Sequence, residues 1–523
     1  MTASHLQTES RATDLRRDTA DHRTRRLDNV LATINGRLER LPLPRAATTV
    51  YVGSVLWSLA FAIASVIRYS HFRDRRYDLG NFTQAVWATA HGHFLEVTNV
   101  SGSQVSRLGI HVDPIIAALA PLWWLWPSPK LLLTVQAVAM GAGAIPLFWL
   151  ARKHLERERD AAFIACAYLL CPSVGWNTLI EFHATALAVP LLLLAVWVLD
   201  EGRLAAFAGC ALAAILCQEV VGLIVACLGL WFGFRAHYRR PGLAIAAGGL
   251  VVTAVDFGLI LRQFGSGTPY SGRYAAVGGS ISGIAKTALA DPMKIAATVQ
   301  PSDVINVIIL LLPVLGLSLL SPLIVAALPQ AFVLTLSGNP YDWSYQAQNV
   351  LLIVPFVYAA TVFALARRER REAKRQKIRA EHLFAVSLIL ALVIGPILSW
   401  TGTPPQLDAE RQAVSLVPKD ARVATTNYLG SHLAARRYVY VFPATARADW
   451  VVVDSSDAYL PPVTALGPQA SLSVGAHDLY WQPKLMNKRI RDLQHSSAWK
   501  EVFAASTIHV FARRTAVTED EVS

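Results

Sequence analysis

Residues 110–127 read Ile110-His111-Val112-Asp113-Pro114-Ile115-Ile116-Ala117-Ala118-Leu119-Ala120-Pro121-Leu122-Trp123-Trp124-Leu125-Trp126-Pro127. Whether this stretch crosses a membrane decides the fold. It is apolar but short, Pro114 and Pro121 interrupt it, and Trp123, Trp124 and Trp126 gather at one end. If it spans, the charged loop 152–160 and the basic runs 235–240 and 367–379 all fall opposite the Arg-rich N-terminus. If it lies flat, or dips in from one face, all these clusters share the N-terminal side. Cytoplasmic loops carry an excess of Lys and Arg, so charge selects the second reading. The prolines and tryptophans suit a segment lying in the interface.

Composition agrees with a membrane setting. The chain is 54% apolar and 16% charged, and runs of near-spanning length recur, which predicts a polytopic α-helical membrane protein. With 110–127 left out, about eleven spans are expected. They lie near 48–67, 130–151, 161–178, 184–200, 204–217, 220–235, 242–262, 304–320, 322–336, 348–366 and 383–400. The run 204–235 exceeds one span of about 20 residues and divides at Gln218-Glu219. This path leaves outer loops at 68–129, 263–303 and 337–347.

The five cysteines all sit in apolar runs and read as small buried hydrophobes. The net charge of +12 gathers in juxtamembrane clusters, which argues for sidedness and against a nucleic-acid partner. Residues 1–47 form a polar, Arg-rich tail without the apolar stretch of a cleavable signal, expected to be disordered and cytoplasmic. Residues 48–400 form the membrane domain. From 401 to 523 the spanning runs stop. Short β-rich pieces at 421–425, 437–442, 450–454, 499–503 and 507–512, with a helical piece at 429–435, predict a small extracytoplasmic α/β domain.

On this path Asp78, His111, Asp113, Glu181, His183, Gln218 and Glu219 all reach the outer face. One-sided clustering of polar residues from separate parts of the chain points to a site. Asp78 opens a short amphipathic stretch, 79–90. It can serve as a general base toward an acceptor hydroxyl, or simply cap that helix. The pairs His111-x-Asp113 and Glu181-x-His183 carry imidazole and carboxylate. They suit a divalent cation or a polar pocket, and equally helix caps and interfacial solvation. Gln218-Glu219 interrupts an apolar stretch, where ionisable groups are costly, so it either lines a cavity or ties two spans together. Asp256 reads as a helix–helix contact. Positive-inside makes outer arginines unexpected, and Arg68, Arg73, Arg75, Arg76, Arg107, Arg262 and Arg273 are candidates for a lipid phosphate. In the loop 337–347, Tyr345 and its aromatic neighbours could stack on a sugar or form an interfacial belt. Gln348 follows it and can line the same cavity.

The signature Tyr77-Asp78-Leu79-Gly80, followed by Gln84 and Trp87, resembles a family of bacterial predicted membrane proteins of unknown function. His111, Pro121-Leu122, 131–136, Phe182-His183, Glu219, Val417-Pro418, 421–425, His432-Leu433, Arg436-Arg437 and 448–454 carry the same resemblance, which runs from about residue 50 onward. That family is in turn similar to the GT-C superfamily of membrane glycosyltransferases. The resemblance implies a GT-C-like fold with outer juxtamembrane helices, an essential acid in the first outer loop, and polyprenyl-phosphate sugar donors. By it, Asp78 is the catalytic acid and the reaction inverts the anomeric carbon. No paired Asp-x-Asp is present, so a divalent metal is an open reading.

The expectation is therefore a glycosyltransferase in the cytoplasmic membrane. It moves a sugar from a polyprenyl-phosphate donor to an envelope glycan or glycolipid acceptor at the outer face. Asp78 is the base. Arg107, His111, Asp113, Glu181, His183, Gln218, Glu219, Arg273, Tyr345 and Gln348 contact substrate. The alternatives are a lipid or solute transporter, whose site would sit nearer the bilayer midplane, and a non-catalytic envelope assembly protein working through residues 401–523.

Overall fold

The computed structural model describes residues 45–234, 238–265, 274–337, 341–371, 378–399, 402–460 and 480–515. The chain is mostly helical. Among the described residues, four helices are long and apolar enough to cross a membrane: Ala46–Ser70, Pro129–His154, Arg239–Phe264 and Gln348–Arg370. A fifth candidate is the pair Glu158–Leu169 and Pro172–Leu179, bent by 46°. The bend falls where Pro172 denies the helix an N–H. Shorter apolar helices follow the remaining expected runs, at Ala184–Asp200, Leu204–Ile215, Val221–Gly233, Pro301–Val314, Pro322–Leu336 and Ala380–Val393.

The deciding stretch forms a 3-10 turn, Pro114–Leu119, running into a short helix, Ala120–Leu125. At about 1.5 Å per residue this piece falls well short of a bilayer core of about 30 Å. Trp123 is buried beneath it, whereas Leu122, Trp124, Leu125 and Trp126 face outward.

Helices meet through small residues, as expected where lipid offers no hydrophobic drive between them. A Cβ on Gly141 would lie 2.1 Å from Ser58 Oγ, and one on Gly242 would lie 2.4 Å from the Cα of Gly233. Ala46–Ser70 buries Ser54, Ser58, Ala62 and Ser65 and turns Val52, Val55, Leu59 and Ile63 outward. Ser65 Oγ donates to the carbonyl of Thr178 at 3.0 Å. In Arg239–Phe264 the buried Asp256 opens a π-helical turn, Asp256–Ile260.

Strands β1 (Glu96–Thr98) and β2 (Gln104–Ser106) form a hairpin in the first loop. The C-terminal region is α/β. Strands β3 (Val423–Thr425), β4 (Val439–Val441) and β5 (Trp450–Asp454) are followed by the small pair β6 (Tyr459–Leu460) and β7 (Tyr480–Trp481), then β8 (Trp499–Ala505) and β9 (Ile508–Arg513). The main sheet has the order β4-β3-β5-β9-β8, with β4, β3 and β5 parallel and the rest antiparallel. Alternation along each strand sends side chains to two faces. Ala424, Tyr440, Val451 and Val453 pack with Met486 and Ile490 of the helix Pro483–His495. Val423, Val439 and Val452 pack with Leu407, Leu429 and Leu433. The parallel step from β3 to β4 needs a crossover, and the helix Asn427–His432 supplies it. Phe72, from the end of the first long helix, lies in this second core. Residues 50–523 form one compact unit.

Candidate active site

The first long helix ends at Ser70, and Phe72 turns the chain with φ 55°. The next turn, Arg76–Gly80, is π-helical, with the Gly80 N–H donating to the Arg75 carbonyl at 3.1 Å, and runs straight into Asn81–Ala90. Asp78 sits on this turn. Its carboxylate lies 3.3 Å from Arg75 Nη2, with side-chain exposures of 21% for Asp78 and 38% for Arg75. Asp78 makes no side-chain cap to Asn81–Ala90, whose N-cap position is Gly80.

Glu181 lies behind the turn. Its oxygens accept from the backbone N–H of Arg75 at 2.9 Å and of Leu79 at 3.1 Å, and from Arg75 Nε at 3.1 Å. The carboxylate is buried and the residue has φ 58°. Asp74, also buried, accepts from Arg68 Nε at 3.1 Å and from the Glu181 N–H at 3.4 Å. Burial pushes the carboxyls of both Asp74 and Glu181 upward, and Asp74 and Asp78 add to the push on Glu181. Arg75 thus bridges a buried carboxylate and a partly exposed one.

Gln136 pins the segment that brings Glu181 and His183 here. Its amide donates to the Glu181 carbonyl at 2.7 Å, and its Oε1 accepts from the His183 N–H at 2.9 Å. The buried His183 ring meets Phe82 edge-on at 6.1 Å. Burial lowers its pKa to about 4; Arg75, Arg107 and His111 push the same way, while Asp78 opposes them. The buried imidazole thus feels the charges of Asp78, Arg75, Arg107 and His111.

Arg107 and Asp113 form a closed pair. Arg107 donates to Asp113 from Nη2 at 2.7 Å and from Nε at 3.1 Å, with both side chains buried. The guanidinium also reaches Asn81 Oδ1 and lies over the Phe82 ring at 3.7 Å. His111 Nδ1 lies 3.1 Å from Glu219 Oε1, while Glu219 Oε2 accepts the Val112 N–H at 3.1 Å. Glu219 thereby ties the interfacial segment to the break between Leu204–Ile215 and Val221–Gly233. Gln218 is half-buried in the same break.

Tyr345 and Gln348 lie against the helix Pro172–Leu179. The Tyr345 carbonyl accepts from Asn177 Nδ2 at 3.4 Å, and its N–H donates to Asn306 Oδ1 at 3.1 Å. Gln348 opens the 3-10 turn Gln348–Leu352, which packs on Pro172–Leu179 and Ala184–Asp200. Arg273 lies outside the described residues. Among the described residues, no three His, Cys, Asp or Glu side chains come together to hold a metal ion.

The α/β region clamps the same turn. Asn427 Oδ1 accepts the N–H of Arg76 at 3.0 Å and of Tyr77 at 3.4 Å. The buried Arg76 guanidinium donates to the carbonyls of Thr98, at 3.0 Å, and of Val439. Gln84 donates to the Arg437 carbonyl at 2.7 Å and accepts the Thr98 N–H at 3.0 Å. The His432 ring stacks between Phe72 and Tyr69, with centroids 3.7 and 4.0 Å away, and its Nε2 lies 2.9 Å from the Tyr69 carbonyl. A Cβ on Gly430 would lie 2.8 Å from Arg76 Cβ. Much of the N-terminal signature is therefore a docking surface. Sequence reading named Arg76 among the outer arginines and missed this role. Gln136 entered only within the stretch 131–136 that carries the family resemblance, with no role of its own, and Asn427 had no signal beyond a polar amide in a β-rich setting.

The family described as "Predicted membrane protein (DUF2079)" matches residues 68–500. The chain belongs to this family. The match takes in the first loop, the helices behind it and most of the α/β region, so the membrane-protein family expected from the signature is the one found. No curated protein matches the sequence. Among solved structures, the crystal structure of ArnT from Cupriavidus metallidurans in the apo state is similar over 88% of this chain and 98% of its own, at 14% identity and a TM-score of 0.36.

Proposed function

We propose that the chain is a GT-C-like glycosyltransferase with Asp78 as its catalytic base. One observation carries the reading. At a junction where Asp74, Glu181, Asp113 and Glu219 are buried and held by protein donors, Asp78 keeps a partly exposed carboxylate beside an arginine. The resemblance to the GT-C superfamily stated above supports the same residue.

In the proposed reaction Asp78 takes the proton of an acceptor hydroxyl as its oxygen bonds to the anomeric carbon. The bond from that carbon to the donor's phosphate oxygen breaks, and the phosphate leaves on its polyprenyl chain. Negative charge grows on that phosphate. Arg75, already aimed into the site by Glu181, is the guanidinium best placed to meet it. Arg107 instead holds the interfacial segment through Asp113. His183 and His111, with Gln218 and Glu219, shape the pocket, and Tyr345 and Gln348 form its far wall. No step is routed through a metal.

The sidedness proposed with this function is eleven spans, a cytoplasmic N-terminus, and residues 401–523 outside the cytoplasmic membrane. An envelope glycan or glycolipid is then the acceptor. Labelling of single cysteines in intact cells tests it: a cysteine at Lys500 is expected to react and one at Glu156 to be protected. The reverse pattern would overturn the topology. The activity itself is tested by transfer from radiolabelled polyprenyl-phosphate sugars in membranes. Transfer by the wild type is expected. Its absence across donors and acceptors, with saturable donor binding retained, would favour a transporter.

A further inference from the structure

The first four N–H groups of any helical turn lack intrahelical partners. At the turn that carries Asp78, the N–H groups of residues 75, 76, 77 and 79 are taken from two sides. Glu181, from the membrane domain, accepts the N–H of Arg75 and Leu79. Asn427, from the α/β region, accepts the N–H of Arg76 and Tyr77 through one oxygen. A π-helical turn is a rare conformation that its surroundings must hold. Here the two clamping side chains come from parts of the sequence far from the turn and from each other.

Asn427 is itself fixed. It starts the crossover helix after β3, and Asp457, just past β5, accepts the N–H of Tyr428 at 3.0 Å. Asp457 is buried, and burial raises its pKa to about 6. The helix is pressed against the turn by close contact: Gly430 lies on Arg76, and a Cβ on Gly80 would lie 3.3 Å from the Cα of Ser431. A continuous path of bonds therefore runs from the sheet through Asp457 and Asn427 to the backbone beneath Asp78.

We infer that Asn427 is a positioning residue for Asp78, so that the α/β region completes the active site. The inference rests on the reading of Asp78 as the base. The mechanism is geometric. Removing the Asn427 oxygen leaves the buried Arg76 N–H without its acceptor, the π turn relaxes toward ordinary helix, and the Asp78 carboxylate swings away from the acceptor hydroxyl. Misplacement by about 1 Å is enough to cost about 100-fold in rate.

The test uses the full-length protein in detergent or nanodiscs, with Asn427→Ala and Asn427→Asp. Asp retains an acceptor oxygen at the same reach. Two quantities are read: hydrogen exchange of the backbone 75–80, and kcat and KM for transfer from a polyprenyl-phosphate sugar. The Ala variant is expected to exchange about tenfold or more faster at 76–77 and to lose about 10–100-fold in kcat with little change in donor KM. The Asp variant is expected to recover protection and most of kcat. Unchanged exchange, or unchanged kcat despite faster exchange, would overturn the positioning role. If the Ala variant does not fold, Asn427→Gln, which moves the oxygen by one methylene, is expected to give the same pattern in milder form, and wild-type values from it would likewise overturn the role. Near wild-type transfer by Asp78→Asn would fell the reading of Asp78 while leaving the exchange result standing, so the two failures are distinguishable.

Discussion

Of the arginine–aspartate pairs in the first loop, Arg107–Asp113 and Arg75–Asp78 differ in almost every physical respect. Arg107 and Asp113 meet through two short bonds, at side-chain exposures of 5% and 3%. Arg75 and Asp78 touch once, at 3.3 Å, and Arg75 divides its donors between Asp78 and the buried Glu181. The first pair has satisfied itself and tethers Pro114–Leu125 to the helix Asn81–Ala90. The second keeps a carboxylate and a cation that are both partly exposed. Equal residue types at similar depth in the chain thus divide into a buried, closed pair and a partly exposed one, and the proposed function assigns chemistry to the second.

The largest expected effect comes from breaking the closed pair. Asp113→Ala would leave a buried, uncompensated guanidinium against Phe82, a change that costs about 3–5 kcal/mol. Loss of monodisperse protein, or a large fall in Tm, is the outcome predicted in detergent. A near-normal Tm would mean that this pair is not the tether described here.

His183 stands between the two pairs and sharpens the contrast through pH. Its folded pKa of about 4 lies below the ordinary 6.5, so the unfolded chain takes up the proton first. Stability present above about pH 6.5 is therefore lost as pH falls toward 4, by on the order of 3 kcal/mol. His432, lowered by burial to about 3, adds to the loss over a window that reaches lower. Asp74, Glu181 and Asp457, raised by burial, gain stability over the same range, so the His183 contribution is read as a difference: between pH 7 and 4, His183→Asn should lose less, or gain more, thermal stability than the wild type. A variant with the same acid sensitivity as the wild type would remove His183 from that account.

A smaller effect is expected at the docked surface that supports the open pair. Gln84→Ala would strand the buried Thr98 N–H and remove one of the donors to the Arg437 carbonyl, a cost of about 1–3 kcal/mol. Limited proteolysis should then release residues beyond about 400 more readily than in the wild type. Unchanged proteolysis would show that Gln84 is not part of the dock.

The apolar helices were legible in the sequence because length and hydropathy are local properties. The strands of the α/β region were legible for the same reason: Trp450–Asp454, for instance, carries its own β-branched apolar run. That His111 sits beside Glu219, and Glu181 beneath the turn that carries Asp78, is compatible with the expected gathering of polar residues at one face, which rested on charge and parity alone. What each does was not legible. Glu181 looks like any interfacial acid until the backbone N–H groups of Arg75 and Leu79 are placed against it. The roles of Arg76, Gln84 and Asn427 depend on contacts between residues more than three hundred positions apart, which no local pattern encodes. Arg107 and Arg75 were indistinguishable as outer arginines, because burial separates them and burial is a property of the fold.

The central claim is that Asp78 acts in chemistry and Asp113 in structure. The most direct test measures turnover and Tm together for Asp78→Asn in the same preparation as the wild type. Asn keeps the size and leaves the Glu181 and Asn427 clamps in place, but it cannot accept a proton as a base. The account predicts a loss of about 10²–10⁴-fold in sugar transfer with Tm essentially unchanged. Transfer near the wild-type rate, or a fall in Tm matching that of Asp113→Ala, would contradict it.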